Sequence, residues 1–586
     1  MPLNSANRLA VWAGGPDEGR LLKRAVVVTL ALLVGGPVIA GEMESPVITL
    51  SDVNWAAAAA SLTGHAAEPP AEAFARLNAI TGKRFAGIAK STVPVLLPFD
   101  VDAFRKDVAD GKPEAETSDK YFGSFRPTKF FLPGPAGYDA TFVASGFDTR
   151  FSKPIVAEIT GAAFVYALDG PNNIEKEDPP PKELAEAFPG IRRVLSEAHV
   201  RYVFKRFGVP YVLSIQCYDM HPSSRHLGCK EADPIAVAFL RQLRTAGGTP
   251  AKLHEPTTDL SRPAAKSDFT YYAPGDLIDN TGWRKMPGRA DYHVYAHMRF
   301  PIASAPAYVK SQSFMPWGDC YRTGHSGRLG RKGAEYSCKV NGLPLTFDES
   351  AAVNFTYPWR DNFCEQRDFL VGQCPGGYGH QGEDIRPAKC TLNYAEADRC
   401  LPYQDYVAAV ADGTIRRMPG YLGAYIVVNT ENEHVRFRYL HMNPHFMDAD
   451  GLLNGRQVSE GEIIGKVATW GDYENGTSYH LHFNIQVFTS IGWVWVNPYM
   501  TLVAAYERLI GGRGTEIKPG EPAPPVPLKL PAILHPTPPG ETAAARPAAA
   551  PEVPAKVREA APERATPHRR RHVRRIRHRR RHEAAN

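Results

Sequence analysis

Five ionisable side chains in three short motifs are the residues of this 586-residue sequence best placed to do chemistry. In Gly379-His380-Gln381-Gly382-Glu383-Asp384, an imidazole and a carboxylate lie four positions apart. Both are standard zinc ligands, with bonds of ~2.0–2.2 Å. A straight strand would hold them too far apart. Gly376, Gly377, Gly379 and Gly382 supply the backbone freedom for a bend that turns both inward. In Ser478–Val487, residues His480, His482, Asn484 and Gln486 fall on one face of a strand, and Leu481, Phe483, Ile485 and Val487 on the other. The apolar face meets a core. The two histidines, ~6.6 Å apart along the strand, face a polar site where one can bind a metal and the other stand beside it. The third motif is Arg438-Tyr439-Leu440-His441-Met442, where His441 shares strand parity with Val435, Phe437 and Tyr439. Taken alone, such a histidine is ordinary packing.

The elements that position these motifs read as strand after strand from Phe355 to about Leu509. Tyr406–Ala411, the turn Asp412-Gly413 and Thr414 onward predict a hairpin. Tyr425–Asn429 pairs with His434–Met442 around the polar turn Glu431–Glu433, and Tyr479–Phe488 and Trp493–Val496 complete the set. Antiparallel β is the expected class for this segment.

Together the three motifs resemble the LytM/lysostaphin-type zinc metallopeptidases, the M23 peptidase family. The resemblance runs from about Pro375 to Tyr499, about a fifth of the chain. It rests on the H-x-G-x-D of His380–Asp384, the Y-x-H of Tyr439–His441 and the H-L-H-F of His480–Phe483, in family order. Val410-Ala411-Asp412-Gly413, Ser459–Gly465 and Asn497-Pro498 support it. The resemblance implies one zinc ion per chain held by His380, Asp384 and His482, with His441 and His480 as unliganded catalytic histidines. Three protein ligands leave a position open to water, whose pKa falls from 15.7 to about 7 on zinc. His441 and His480 would share two tasks, accepting the water proton and stabilising the oxyanion. The implied activity is that of an endopeptidase cutting peptidoglycan peptide cross-links. The rival reading is a non-catalytic cell-wall-binding or regulatory protein that uses a peptidase-like domain for docking. Three departures from the family pattern bear on groove shape and substrate: the long connection Pro387–Asp405 with Cys390 and Cys400, Tyr479 before the H-L-H, and Asn484 where Glu is frequent.

Around this segment the chain falls into further pieces. Arg20, Lys23 and Arg24 precede the apolar run Ala25–Ala40, which predicts a signal peptide over residues 1–40 and a periplasmic or secreted product. An inner-membrane anchor is the alternative, although 16 apolar residues are short for a span of ~20. Residues 41–354 form an N-terminal region of mixed α/β character with no interpretable motif. Helices are expected over Gly190–Phe207 and Asp233–Arg244, the latter with Asp233 as N-cap and Pro234 at its first position. Strands are expected at Val93–Leu97, Ala140–Val143, Ile155–Ile159 and Tyr211–Ile215, and an exposed loop at Asp178–Lys182. His293-x-x-x-His297 has metal-binding spacing on a helix, but its Tyr- and Val-rich surroundings favour a strand. There the two rings lie ~13 Å apart and serve packing. The peptidase-like domain occupies 355–510, and 511–586 is a Pro/Ala-rich disordered tail. The overall class is α+β.

Eight cysteines, all after the apolar run, favour disulfides in an exported chain. Sequential pairing (217–229, 320–338, 364–374, 390–400) closes short local loops. No Cys-x-x-Cys pair supports a thiolate metal site. The formal charge of +6 is local: residues 552–586 hold 12 Lys/Arg against 4 Asp/Glu, leaving 56 against 58 for residues 1–551. A nucleic-acid-binding core is therefore not expected. The basic run His568–His582 is read first as solvated chain. Its functional counterpart is an electrostatic anchor to anionic envelope polymers or lipid headgroups.

Overall fold

In a computed structural model of the protein, residues 42–521 are described apart from 63–67, 148–150, 169–175, 197–198, 219–224, 265–266, 280, 312–318, 327–332, 341–342, 345–348, 350–351, 368, 394–395, 472 and 519–520. The signal peptide expected over 1–40 and the tail beyond 521 lie outside the described residues. Those described fall within one compact unit, and no helix among them is long and apolar enough to cross a membrane.

The architecture is mostly antiparallel β with few helices. Two sheets dominate. The first, in the N-terminal region, has seven strands in the order Phe125–Gly134, Gly137–Ala144, Ile155–Ala162, Val209–Gln216, His199–Arg206, Arg192–Ser196, Lys176–Asp178. Helices Pro70–Thr81, Val101–Ala109 and Asp233–Arg241 add buried aromatics and aliphatics such as Phe74, Phe104 and Phe239. The second sheet has eight strands in the order Tyr308–Val309, Glu383–Arg386, Leu481–Thr489, His434–Leu440, Ala424–Asn429, Gly413–Arg416, Gln457–Val458, with Gly492–Val496 also paired to Leu481–Thr489. Leu481, Phe483, Ile485 and Val487 are fully buried, with Phe437 and Phe483 stacked at 6.0 Å. Helix Tyr499–Ile510 packs Tyr506 against Phe269, Phe300 and Trp359 and ends at Gly511 in the left-handed region. Strand Arg513–Ile517 returns to lie parallel to Ser267–Tyr272.

Several local expectations are corrected. The helix expected at Gly190–Phe207 is a hairpin, Arg192–Ser196 with His199–Arg206, which then pairs with Val209–Gln216. Its β-branched and aromatic residues alternate: Val200, Tyr202 and Phe204 enter the main core while Val203 lies in a second buried cluster on the other face. Period two wins over the looser helical match. Helix Asp233–Arg241 keeps Pro234 in its first turn but starts after Ala232. Asp233 directs its carboxylate to Arg193 Nε at 2.8 Å instead of capping. The remainder of that expected helix, Leu243–Gly247, is a strand against Val95–Pro98. The expected loop Asp178–Lys182 joins strand Lys176–Asp178 to a short helix, Lys182–Ala187. The expected hairpin at Asp412-Gly413 does not form. Tyr406–Ala408 pairs with Ile463–Lys466, whereas Gly413–Arg416 pairs with Ala424–Asn429. His293 forms only a single bridge to Glu44 rather than a strand. His293 meets Asp291 at 2.8 Å and His297 meets Asp259 at 3.4 Å, so the two serve separate contacts.

Disulfides join Cys217–Cys229, Cys364–Cys374 and Cys390–Cys400, as sequential pairing expects. The register sets Cys320 opposite Cys338, but the side chains of that pair lie outside the described residues.

Candidate metal centre and active site

Antiparallel pairing of Glu383–Arg386 with Leu481–Thr489 sets Asp384 directly opposite His482, so both project from the same face. His380 reaches them from the loop before the first of these strands. Gly379 and Gly382 are required there by close approach rather than by unusual dihedrals. A Cβ at Gly382 would sit 2.3 Å from the Phe483 carbonyl oxygen, and one at Gly379 2.6 Å from Cys364 Cα. The strand at Phe483 and the segment at Cys364 therefore pass the loop at backbone contact, and any larger residue would push His380 off the site.

Three donor atoms converge. His380 Nε2 lies 2.8 Å from His482 Nδ1, His482 Nδ1 lies 2.9 Å from Asp384 Oδ1, and His380 Nε2 lies 3.2 Å from Asp384 Oδ1. All three residues are buried. Among the described residues this is the only His/Cys/Asp/Glu group assembled to hold a metal ion. The tautomer of His380 follows from its neighbour: Nδ1 donates to the Asn362 carbonyl at 2.9 Å, so Nε2 carries a lone pair toward the site. Two imidazole nitrogens and a carboxylate oxygen meeting in a buried place fit zinc, which takes such N/O sets and, in catalytic sites, three protein ligands.

Two further imidazoles flank the triad. The His441 and His480 rings are 4.6 Å apart, and His441 is 5.8 Å from His482. His441 Nδ1 donates to the Trp470 carbonyl at 2.7 Å, and His480 Nδ1 to the Ser478 carbonyl at 2.9 Å. Each ring is thus held through Nδ1, and Nε2 of His480 lies 3.3 Å from Asp384 Oδ1, close enough to interact with that carboxylate. Burial and the neighbouring His480 push the His441 pKa down to about 3, so the ring stands neutral. Burial likewise pushes His482 down, against the pull of Asp384. For Asp384, burial opposes ionisation, but the surrounding imidazoles of His380 and His480 outweigh it and hold the carboxyl well below its usual range.

The parity expected for His441 is corrected. The strand ends at Leu440, and His441 adopts φ +69°, which takes it off the apolar face of Phe437 and Tyr439 and beside His480. Left-handed backbone at a non-glycine costs roughly 1 kcal/mol or more and is held only where its surroundings demand it. Here Trp470 grips His441 twice, accepting from Nδ1 and donating its own N–H to the His441 carbonyl at 3.2 Å. Tyr439, by contrast, is a core residue whose hydroxyl accepts from Val410 N at 3.0 Å.

Asn362 is a positioning residue invisible in the motifs. Its carbonyl orients His380, and its Oδ1 accepts from Asp384 N at 2.9 Å. The loop carrying it is closed by Cys364–Cys374, and Cys364 N donates to the His380 carbonyl at 3.0 Å. Glu383 secures the same loop from below through Asn362 N and Phe363 N. No spacing rule marks Asn362, because the atom that orients His380 is a main-chain oxygen.

The sheet thus presents a His/Asp/His donor set beside two further imidazoles. Residues 397–498 match the sequence profile of Peptidase family M23, the family that the motifs resemble. The matched stretch contains His441, His480 and His482. His380 and Asp384 precede it and join through strand pairing. A solved structure from Ruminococcus gnavus ATCC 29149, described as a glycyl-glycine endopeptidase lytM, is similar at 22% identity. The similarity covers 24% of this chain and 53% of that one, about half its length, with a TM-score of 0.18. No curated protein matches the chain.

Proposed function

We propose that this protein is an exported zinc metalloendopeptidase that hydrolyses the peptide cross-links of peptidoglycan. The observation that carries the proposal is the convergence of His380, Asp384 and His482 within 3.2 Å of one another, with His441 and His480 beside them, each ring held through Nδ1 by a backbone carbonyl. A zinc ion held by the three ligands supplies a Lewis acid and acidifies water at its open position. Asp384 brings one negative charge and burial holds His482 neutral, which suits a divalent cation. His441 and His480 are placed for the proton work. The Nε2 of one would accept the proton of the attacking water, and the imidazolium so formed would present that N–H to the oxygen on which negative charge develops. The carbonyls of Trp470 and Ser478 hold both rings in the required tautomer throughout.

Export is supported by the apolar run after Arg24 and by disulfides, which persist in oxidising compartments. The decisive experiment measures zinc content and release of peptide fragments from purified sacculi by the full chain, wild type beside Asp384→Ala, with and without a chelator. One zinc per chain and fragment release abolished by either treatment are expected. Release that survives both would overturn the proposal.

A further inference from the structure

The polar face of the peptidase sheet continues past the histidines into a cleft of 660 Å³ between the two large sheets. Its floor includes Arg416, Arg436, Arg438 and Gln486, and its roof includes Glu158 and Arg201 from the N-terminal sheet. Most of its cations are already answered. Arg436 binds Asp139 at 2.6 Å and also Glu158, Arg416 meets Glu158 at 2.6 Å, and Arg417 pairs with Asp448. Arg201 donates to the Trp493 carbonyl. Lys153 lies exposed over Tyr218, where solvent screens its charge.

Arg438 differs from all of these. It is half-buried, and among the described residues no carboxylate lies within ion-pair distance of it. Nε donates to Asn484 Oδ1 at 2.8 Å and Nη2 to Gln381 Oε1 at 2.9 Å, both neutral amides. The guanidinium also lies over the Trp495 ring, 4.0 Å from its centroid. These contacts, with the Tyr425 ring at 6.0 Å, fix its plane while leaving it without a counter-anion and with its Nη1 edge uncommitted. A guanidinium so held matches a carboxylate bidentately and loses little freedom on binding one. Its place is set by register. Arg438 lies opposite Asn484, two pairs along from Leu440 and the metal-ligand candidate His482. Two residues along a strand are ~7 Å, which is also the length of two residues of extended peptide.

We propose that Arg438 is the specificity anchor of the cleft and binds a free carboxylate on a peptide substrate, about two residues from the bond cut. The assignment rests on the peptidase reading above and adds the substrate class: an acidic peptide in preference to its amidated counterpart. A charge-assisted pair that replaces an unanswered, half-buried cation favours the acid by on the order of ten- to a hundredfold.

The test uses zinc-loaded full chain and two synthetic cross-linked peptides, one with the free carboxylate and one with a carboxamide in its place. Wild type is expected to cleave the acid with a kcat/KM at least tenfold above the amide. Arg438→Gln collapses that ratio toward one, and Arg438→Lys, which keeps the charge and most of the packing, retains part of it. The lysine variant decides the matter alone should the glutamine variant fail to fold. Calorimetric binding of both peptides to Asp384→Ala gives the same comparison without hydrolysis. Acid-selective binding with no cleavage by wild type would defeat the peptidase reading and leave the anchor standing. Equal treatment of acid and amide by wild type, or a ratio that survives Arg438→Gln, overturns the anchor.

Discussion

Opening the Cys364–Cys374 disulfide tests whether the site is held together from behind. The bridge closes a sequence separation of 10 residues. On the chain-entropy expression, a loop of that size restrains the unlinked state by about 2.7 kcal/mol at 25 °C. That restraint acts on the segment that orients two ligands, because the Asn362 carbonyl takes His380 Nδ1, Asn362 Oδ1 takes Asp384 N, and His380 N donates to the Glu365 carbonyl at 2.8 Å. If metal binding must re-order the loop, the whole 2.7 kcal/mol appears as lost affinity, about a hundredfold. Cys217–Cys229 supplies the control. Its separation of 12 residues gives nearly the same entropy, about 2.8 kcal/mol, but it lies in the N-terminal region. The paired variants Cys364→Ser/Cys374→Ser and Cys217→Ser/Cys229→Ser are compared for zinc affinity by chelator competition. The first should weaken zinc by ten- to a hundredfold and the second by less than threefold, while both lower the melting temperature. Equal zinc affinity in the two variants would refute the reasoning, since it would mean that the site keeps its geometry without its staple.

Two further perturbations probe the rest of the molecule. Arg436→Met removes the cation shared by Asp139 and Glu158, both buried, and should cost about 3–5 kcal/mol, read as a lowered midpoint in denaturant. A loss under about 1 kcal/mol would mean that the inter-sheet charges do not join the two halves. Burial pushes the pKa of Glu433 up to about 7 against the attraction of Arg508 and the His297 N–H, with Glu460 adding to the rise. The folded state then holds a proton that the unfolded chain releases near 4.5, so stability falls as pH rises between about 4.5 and 7 and stays reduced above. Glu433→Gln should therefore raise the melting temperature at pH 8 by the equivalent of up to about 3 kcal/mol and leave it unchanged at pH 4. An equal shift at both values would show that the carboxylate is not the cause.

What the sequence revealed depended on whether a residue acts through its side chain and its parity. His480 and His482 were legible because a two-residue period sorts eight consecutive positions into two faces, and Asp384 because it sits beside glycines that a tight approach requires. His441 shows where parity stops. It belongs to the strand in sequence, but the strand ends one residue earlier, and a single left-handed residue reverses its direction. The hairpin at Arg192–Arg206 was obscured because its apolar residues lie at spacings that also satisfy a helix. Only the partner strand Val209–Gln216 decides between them. Asn362, Trp470 and Ser478 orient rings through carbonyl oxygens, which every residue carries, so no motif can mark them.

The N-terminal sheet also explains a feature that alternation alone misreads. A polar strand face beside a metal site is expected to be open, yet Asn484 and Gln486 are buried along with their apolar neighbours. The cover is the other sheet: Asp139, Glu158 and Thr160 descend onto Arg416, Arg436 and Trp493, and His434 completes the contact with Asp139 at 2.8 Å. Burial opposes ionisation of Asp139, but Arg436 and His434 outweigh it and keep the carboxylate charged. An apolar interface of equal area would be no less stable and would avoid the desolvation of the four charged groups Asp139, Glu158, Arg416 and Arg436. It would, however, need aliphatic residues on the same face that carries the histidines, and a peptide lying there would find no hydrogen-bond partners for its backbone. Pairing the charges across the sheets keeps that face polar under a roof, neutralises every floor arginine the roof can reach, and leaves Arg438, nearest the histidines, for the substrate.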